Sequence, residues 1–558
     1  MSSRKRNILS LLENRTKDYD ERVALGIKNN YGWKEYTYKG LGLMTRRLAT
    51  HLINDLEVKK GEVCAILSES KPEYGACLFA SVISGTITVP LDIKLTIFEL
   101  TSILSDCEPS LLFVSQHYLD TAIELQKKVP SIKHIIIMDE HCKHDGIDNL
   151  YELPEVYEAK WRHRSSKSTA LIIYTSGTTG APKGVEISFA NMMAQLEDLE
   201  WALSNILPNR TINMLSILPM NHLFEMTVGF STFLNAGFSV FYSQSLKPKD
   251  ILGIMREKRI EFMIVVPAFL KLLKTSIEKN LNDSPKHIQL MFKFLYHLAK
   301  FLPSYRIKKF MFKSIHEKFG GHFMGCISGG APLDIDVGRF FERIGIKVLQ
   351  GYGLSETSPV VCVNWDRRSD LSSVGKPLPH FEAKIVPDSG ELLLRGPSVM
   401  KGYHNQPEMT AEVIDEDGWL HTGDIATINK YGHLHITGRI KNMIVLSGGK
   451  KVFPEEVESV IEKSKLISET CVFGYSRSVG AKEGTEEVVA VVVPKEDLYN
   501  QYDIETIDKM IKSDVKNLCL QLTPYKRPIS IVVRKDALPK TTTRKIKRKE
   551  VIELVSAI

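Results

Sequence analysis

The chain has 558 residues, too many for one core, so two to four compact units are expected. Its 43% hydrophobic and 25% charged content, with no internal repeat and no low-complexity tract, describes an ordinary soluble globular protein. The net charge of +7 is concentrated in residues 286–318 and 540–549, and no nucleic-acid-binding motif accompanies these clusters, so no nucleic-acid partner is expected.

The N-terminal stretch Met1-Ser-Ser-Arg-Lys-Arg6 is basic, but no continuous apolar run follows, so no signal peptide is expected. Up to about residue 165 strand and helix patterns alternate, with 61–67 and 111–114 reading as strands; such alternation implies mainly parallel sheets covered on both faces. The uncharged run 74–91 has about the length of a membrane span, yet it holds Gly75, Gly85, three Ser/Thr in its second half and Pro90. A core helix running into a strand fits it better. The eight cysteines are scattered without a C-x-x-C pair, as expected of single thiols in a reducing cytosol. His141, Cys142 and His144 lack a second cluster at zinc spacing, so no structural metal is expected there.

The run Ala170-Leu-Ile-Ile173 reads as a buried strand, and the stretch Tyr174-Thr-Ser-Gly-Thr-Thr-Gly-Ala-Pro-Lys-Gly-Val185 leaves its end. Thr175, Ser176, Thr178 and Thr179 offer hydroxyls, Gly177, Gly180 and Gly184 allow close backbone approach, and Lys183 balances charge. That chemistry fits a phosphate. The spacing is not that of the common P-loop, because position 182 is proline. The strand rhythm continues through 213–218, 262–266 and 347–349. Residues 370–437 are strand- and turn-rich and suit a small β-barrel-like subdomain, with 390–394 and 433–436 as strands. After Gly438 comes a compact α+β piece: a helix around Glu455, a strand at 488–493, a helix over 504–520 and a strand at 529–533. The segment 286–318 carries eight Lys/Arg, one acid and seven aromatic residues.

Six strings in order give the chain its resemblance: the 174–185 loop, Ser328-Gly-Gly-Ala-Pro-Leu333, Gly351-Tyr-Gly-Leu-Ser-Glu-Thr357, Gly418-Trp-Leu-His-Thr-Gly-Asp424, Gly438-Arg439 and Pro539-Lys-Thr-Thr-Thr-Arg-Lys545. Together they resemble the adenylate-forming superfamily of acyl-CoA synthetases, peptide-synthetase adenylation domains and firefly luciferase. The resemblance implies an α/β fold: a large N-terminal domain (1–438) of two αβα-layered subdomains plus the β-barrel-like one, a hinge at 439–441 centred on Lys441, and a small mobile α+β domain (442–558). It implies an enzyme in which a carboxylate attacks the α-phosphate of ATP, giving acyl-adenylate and pyrophosphate, and a thiol then opens the anhydride. Such steps are governed by positioning and charge neutralisation.

Carried over residue by residue, the resemblance gives Thr175, Ser176, Gly177, Thr178, Thr179, Gly180 and Lys183 the ATP phosphates. Glu356 becomes the Mg²⁺ ligand with Thr178 beside it, a carboxylate oxygen suiting a hard cation, and Thr357 a donor to the α-phosphate or the substrate carboxylate. Asp424 would accept from both ribose hydroxyls, with Arg439 a donor nearby. Ser328, Gly329, Gly330, Ala331 and Pro332 would lie against the base, with Tyr352, between Gly351 and Gly353, stacking on it. Residues 328–332 also read as a plain strand-to-helix turn. Lys545 matches the family lysine that bridges substrate carboxylate and α-phosphate; residue 544 is arginine where glycine is commoner, and Arg544 and Lys547 are the neighbouring candidates. His222 falls beside the acyl pocket or serves as a core histidine. Ser447, Gly448, Gly449 and Lys450 follow the hinge, where the thiol donor would approach.

Residues 276–320 resemble the basic helical insertion of bacterial long-chain acyl-CoA synthetases. The expected activity is therefore that of a cytoplasmic long-chain fatty acid–CoA ligase using ATP, Mg²⁺ and coenzyme A. An acyl carrier protein is the rival acceptor, as in an acyl-ACP synthetase or fatty acyl-AMP ligase. A catalytically inert acyl- or nucleotide-binding protein is the reading from another class. Peripheral membrane contact through 286–318 and a monomeric or homodimeric state stay open.

Overall fold

The structure, a computed structural model, describes residues 8–29, 32–175, 182–208, 210–366, 371–446, 450–476, 486–540 and 546–556. The chain divides into two compact units, residues 1–382 with 394–420 and residues 383–393 with 421–558. Residues 421–438 group with the C-terminal piece because the strand Leu420–Ile428 pairs with Leu434–Arg439, which runs directly into the turn Ile440–Asn442.

The first unit holds two large sheets. One has eight strands and is built on the parallel set Ile87–Pro90, Val63–Leu67, Leu111–Val114 and His134–Ile137. These strands are short, almost wholly buried Val/Ile/Leu runs, as a sheet covered on both faces requires. The strand Thr169–Thr175 joins this sheet in parallel beside Ile87–Pro90, and Lys183–Ser188 turns back antiparallel against it. The nine-stranded sheet contains Asn213–Ser216, Ser239–Tyr242, Phe262–Val265, Gly325–Ser328 and Lys347–Tyr352 in parallel. The early strand Val23–Asn29 also enters this second sheet, beside Ser239–Tyr242. The expected run 74–91 is a buried helix, Pro72–Ser84, followed by the strand Ile87–Pro90.

Strands of the 370–437 region form a four-stranded sheet of Glu382–Ile385, Glu391–Arg395, Leu420–Ile428 and Leu434–Arg439. The second unit continues with a three-stranded sheet of Ile467–Ser476, Glu486–Pro494 and Ser530–Val533, packed with helices Pro454–Ile461 and Ile504–Cys519. All eight cysteines are free and buried. Among the described residues, no helix is long and apolar enough to cross a membrane.

Candidate active site

In a parallel sheet, ligands collect where loops leave the carboxyl ends of the strands. In the nine-stranded sheet Val265, Ser328 and Gln350 are neighbouring register partners at the ends of three adjacent parallel strands. The expected base-binding turn 328–332 and the Gly351–Gly353 stretch therefore leave the same edge. Buried Ser328 Oγ makes no hydrogen bond among the described residues. At Gly329 an added Cβ would stand 2.8 Å from the Phe224 ring, and at Gly353 one would stand 2.0 Å from the Pro359 carbonyl oxygen, so both positions need glycine for close approach.

The expected phosphate loop is the connection of a hairpin whose ends, Thr175 and Lys183, are register partners. Ser176, Gly177, Thr178, Thr179 and Gly180 lie outside the described residues. The hairpin's return strand is flanked antiparallel by Gly402–Tyr403, with Tyr403 opposite Val185. Glu186 fastens this pairing. Burial alone would raise its pKa, but His404, Lys401 and Thr169, at 2.7, 2.8 and 2.6 Å, hold the carboxyl down to about 2.

Tyr403, which no spacing in the sequence singles out, joins two of the expected residues. Its hydroxyl donates to Glu356 Oε1 at 3.0 Å, and Lys183 Nζ sits 5.4 Å from the centre of its ring. Burial, with the Glu356 carboxylate beside it, pushes the phenol pKa up, so Tyr403 remains a donor at neutral pH. Backbone contacts add to the clamp: Met400 N–H donates to the Glu356 carbonyl at 2.8 Å, and His404 N–H to that of Gly184 at 2.7 Å. The second Glu356 oxygen makes no hydrogen bond among the described residues. A half-buried carboxylate steadied through one oxygen fits a Mg²⁺ ion, and such an ion would neutralise phosphate charge there.

Thr357 has a structural task in its own turn. It is fully buried, its hydroxyl accepts from Leu354 N–H at 2.9 Å and donates to the Leu354 carbonyl at 3.0 Å. The hydroxyl closes the turn that presents Glu356. His222 is half-buried in the loop between the strand Asn213–Ser216 and the π-helix Glu225–Thr232. Nearby, an apolar cleft lined by Leu199, Leu203, Phe224, Val228, Ile327 and Val360 reaches Gly351.

In the second unit Asp424 and Arg439 are register partners on paired strands. Arg439 Nε and Nη2 donate to the two Asp424 oxygens at 2.5 and 3.4 Å, so the nearby donor expected from sequence is an ion-pair partner of the buried carboxylate. Thr422 Oγ accepts from Asp424 N–H at 3.0 Å and donates to the Leu392 carbonyl at 2.7 Å, fixing the strand that carries Asp424. Lys441 lies in the turn Ile440–Asn442, and Asn442 Nδ2 donates to Glu455 Oε1 at 2.7 Å. Arg548, heading the C-terminal helix, donates to Glu458 at 2.5 Å and approaches Glu455 at 3.5 Å, so Glu455 faces both the turn and that helix. Lys545 lies outside the described residues; Lys540 and Ile546 on either side of its segment pair across an antiparallel bridge. Ser447, Gly448 and Gly449 also lie outside, while Lys450 Nζ stands 4.9 Å over the Tyr525 ring.

Comparison with known proteins gives the chain's family. The AMP-binding enzyme family matches residues 12–404, and the AMP-binding enzyme C-terminal domain matches 456–545. The chain is 29% identical over 557 residues to a long-chain-fatty-acid–CoA ligase of Escherichia coli O157:H7, covering 92% of this chain and 89% of that protein. It is also 29% identical over 517 residues to luciferin 4-monooxygenase of Photinus pyralis, at 88% and 84% coverage. ATP-bound MatB from Rhodopseudomonas palustris shares the fold with a TM-score of 0.77 at 25% identity, over 98% of this chain and 99% of that one. With both domain matches, the chain belongs to the AMP-binding enzyme family and is a ligase that forms acyl-CoA with AMP, using ATP, Mg²⁺ and coenzyme A.

Proposed function

We propose that the acid activated is a long-chain fatty acid. The similarity to the bacterial long-chain-fatty-acid–CoA ligase carries this reading. The small cleft at Gly351 agrees with it in chemistry, since its lining side chains are all apolar and offer no partner to a second charged group on the acid. Within this reading Lys183 and the 176–180 loop hold the phosphates, Glu356 steadied by Tyr403 holds Mg²⁺, Asp424 holds the ribose, and Lys545 bridges the reacting carboxylate and the α-phosphate. The second unit alternates about Lys441 between the two half-reactions, and the 447–450 loop serves the thiol donor.

Pyrophosphate release measured against a panel of carboxylic acids, with coenzyme A or holo acyl carrier protein supplied in turn, tests the proposal. Release and thioester formation that rise with chain length and need coenzyme A support it. Turnover confined to polar or aromatic acids rules out the fatty acid.

A further inference from the structure

The helix Lys286–Leu298 is apolar on two opposite faces. One face packs inward: Phe292, Leu295 and Tyr296 lie against the core of the first unit, with Phe292 5.4 Å from the Phe312 ring and Tyr296 5.9 Å from that of Phe340. These contacts fix the helix's rotation. The other face points to solvent. Leu290 is 66% exposed, Phe294 69% and Leu298 42%, and at 100° per residue the three fall within an arc of about 80°. Phe301 in the following turn is 67% exposed, and in the next helix, Tyr305–Met311, Ile307 and Phe310 are 50% and 79% exposed. Single exposed apolar residues are ordinary; a row of six along successive elements marks an interaction surface.

The flank of this face says what covers it. Lys286, Lys293 and Lys300 recur every seven residues, so they line one side of the helix as a basic row. All three are exposed and have no carboxylate partner among the described residues. Exposed Arg306 follows, and Glu317 is the single acid of the segment. Two copies of the chain packed through this face would gather these cations without neutralising them. We propose that the helix Lys286–Leu298 and its neighbour Tyr305–Met311 form the surface by which the protein docks on an anionic lipid membrane. The Leu and Phe side chains enter the acyl boundary and the lysine stems reach to the phosphate level. This inference does not depend on which acid the enzyme activates.

Co-sedimentation of the full chain with phosphatidylcholine vesicles, and with vesicles that also contain phosphatidylglycerol, tests it. Partition is expected to favour the anionic vesicles and to weaken with salt. Replacing Lys286, Lys293 and Lys300 with glutamine is expected to lower that partition about fivefold for each lysine removed. Phe294→Ser combined with Phe301→Ser is expected to lower binding to both vesicle types. Pyrophosphate release with a water-soluble acid should stay at the unsubstituted level in every variant, which shows that each is folded. Equal, salt-insensitive partition onto both vesicles would overturn the proposal. So would a dimer that the Phe294/Phe301 variant dissociates while no vesicle binding is seen.

Discussion

Tyr403 joins two residues of the candidate site. Its hydroxyl steadies Glu356 while its ring faces Lys183, so the proposed magnesium carboxylate and the proposed phosphate lysine share one support. Tyr403→Phe keeps the ring and removes the hydrogen bond. It is expected to raise the Mg²⁺ concentration needed for half-maximal pyrophosphate release about tenfold, the usual effect of losing a partner behind a metal ligand. Thioester formation from supplied acyl-adenylate is expected to be unchanged; a Mg²⁺ dependence equal to that of the unsubstituted enzyme would remove Tyr403 from this role. Asp424 is a different case, because the proposed ribose ligand also pairs with Arg439. Asp424→Ala is expected to weaken ATP binding without shifting acyl preference, and also to lower the thermal midpoint, since Arg439 loses its partner. A switched chain-length profile with unchanged nucleotide affinity would contradict the assignment. Lys183, Glu356, Asp424 and Arg439 stand out in the sequence because each sits inside a string with its own chemistry. Tyr403 does not, since its contacts with Glu356 and Lys183 come from strand pairing across more than two hundred residues. The turn that engages the Thr357 hydroxyl was not legible either, because a hydroxyl beside a carboxylate looks unengaged until the backbone is seen.

At the scale of elements, the parallel strands were readable as short, continuous apolar runs bounded by turns. Their sheet membership was not. The strand Thr169–Thr175 completes the sheet of residues 63–149, while Val23–Asn29 crosses to the other sheet, because long-range pairing and not local pattern decides a strand's neighbours. The π-helix Glu225–Thr232 was likewise hidden, and it carries a fully buried carboxyl. Burial pushes Glu225 from 4.5 up to about 8, although Ser216 donates to it at 2.6 Å. The folded chain therefore keeps a proton between pH 4.5 and 8 that the unfolded chain has released. Stability is expected to fall as pH rises through that window and to be unaffected by this group below it. Glu225→Gln removes the titration, so its urea midpoint should vary less between about pH 5 and 8 than that of the parent. Parallel pH profiles for the two proteins would mean that Glu225 is ionised in the fold.

For the whole molecule, the two half-reactions offer a separation that neither unit shows alone. Under the proposed alternation, Lys545→Ala is expected to lower acyl-adenylate formation by about 10²–10³, the usual loss for one transition-state donor. Thioester formation from supplied acyl-adenylate should be nearly intact. Lys441→Pro fixes φ near about −65° in the turn Ile440–Asn442 and is expected to do the opposite, sparing adenylation and depressing thioester formation. Equal loss of both half-reactions in both variants would rule out alternation about residue 441. The sequence patterns put the hinge at 439–441 and the strand-rich stretch 370–437 on its N-terminal side, whereas in the compact units the pairing of Asp424 with Arg439 groups 421–438 with the C-terminal residues, a long-range pairing that no local pattern reports.

The buried cysteines bear on the enzyme's own safety. An acyl-adenylate is an electrophile made to be captured by sulfur, and this protein carries eight cysteine sulfurs of its own. Attack requires thiolate. Burial pushes Cys64, Cys107, Cys326 and Cys471 up to about 12 and Cys519 to about 11. At neutral pH a thiol titrating near 12 is ionised in only about one molecule in 10⁵, and each is shut away from diffusing reagents as well. An acyl-adenylate can thus meet the incoming thiol without first acylating the scaffold that made it.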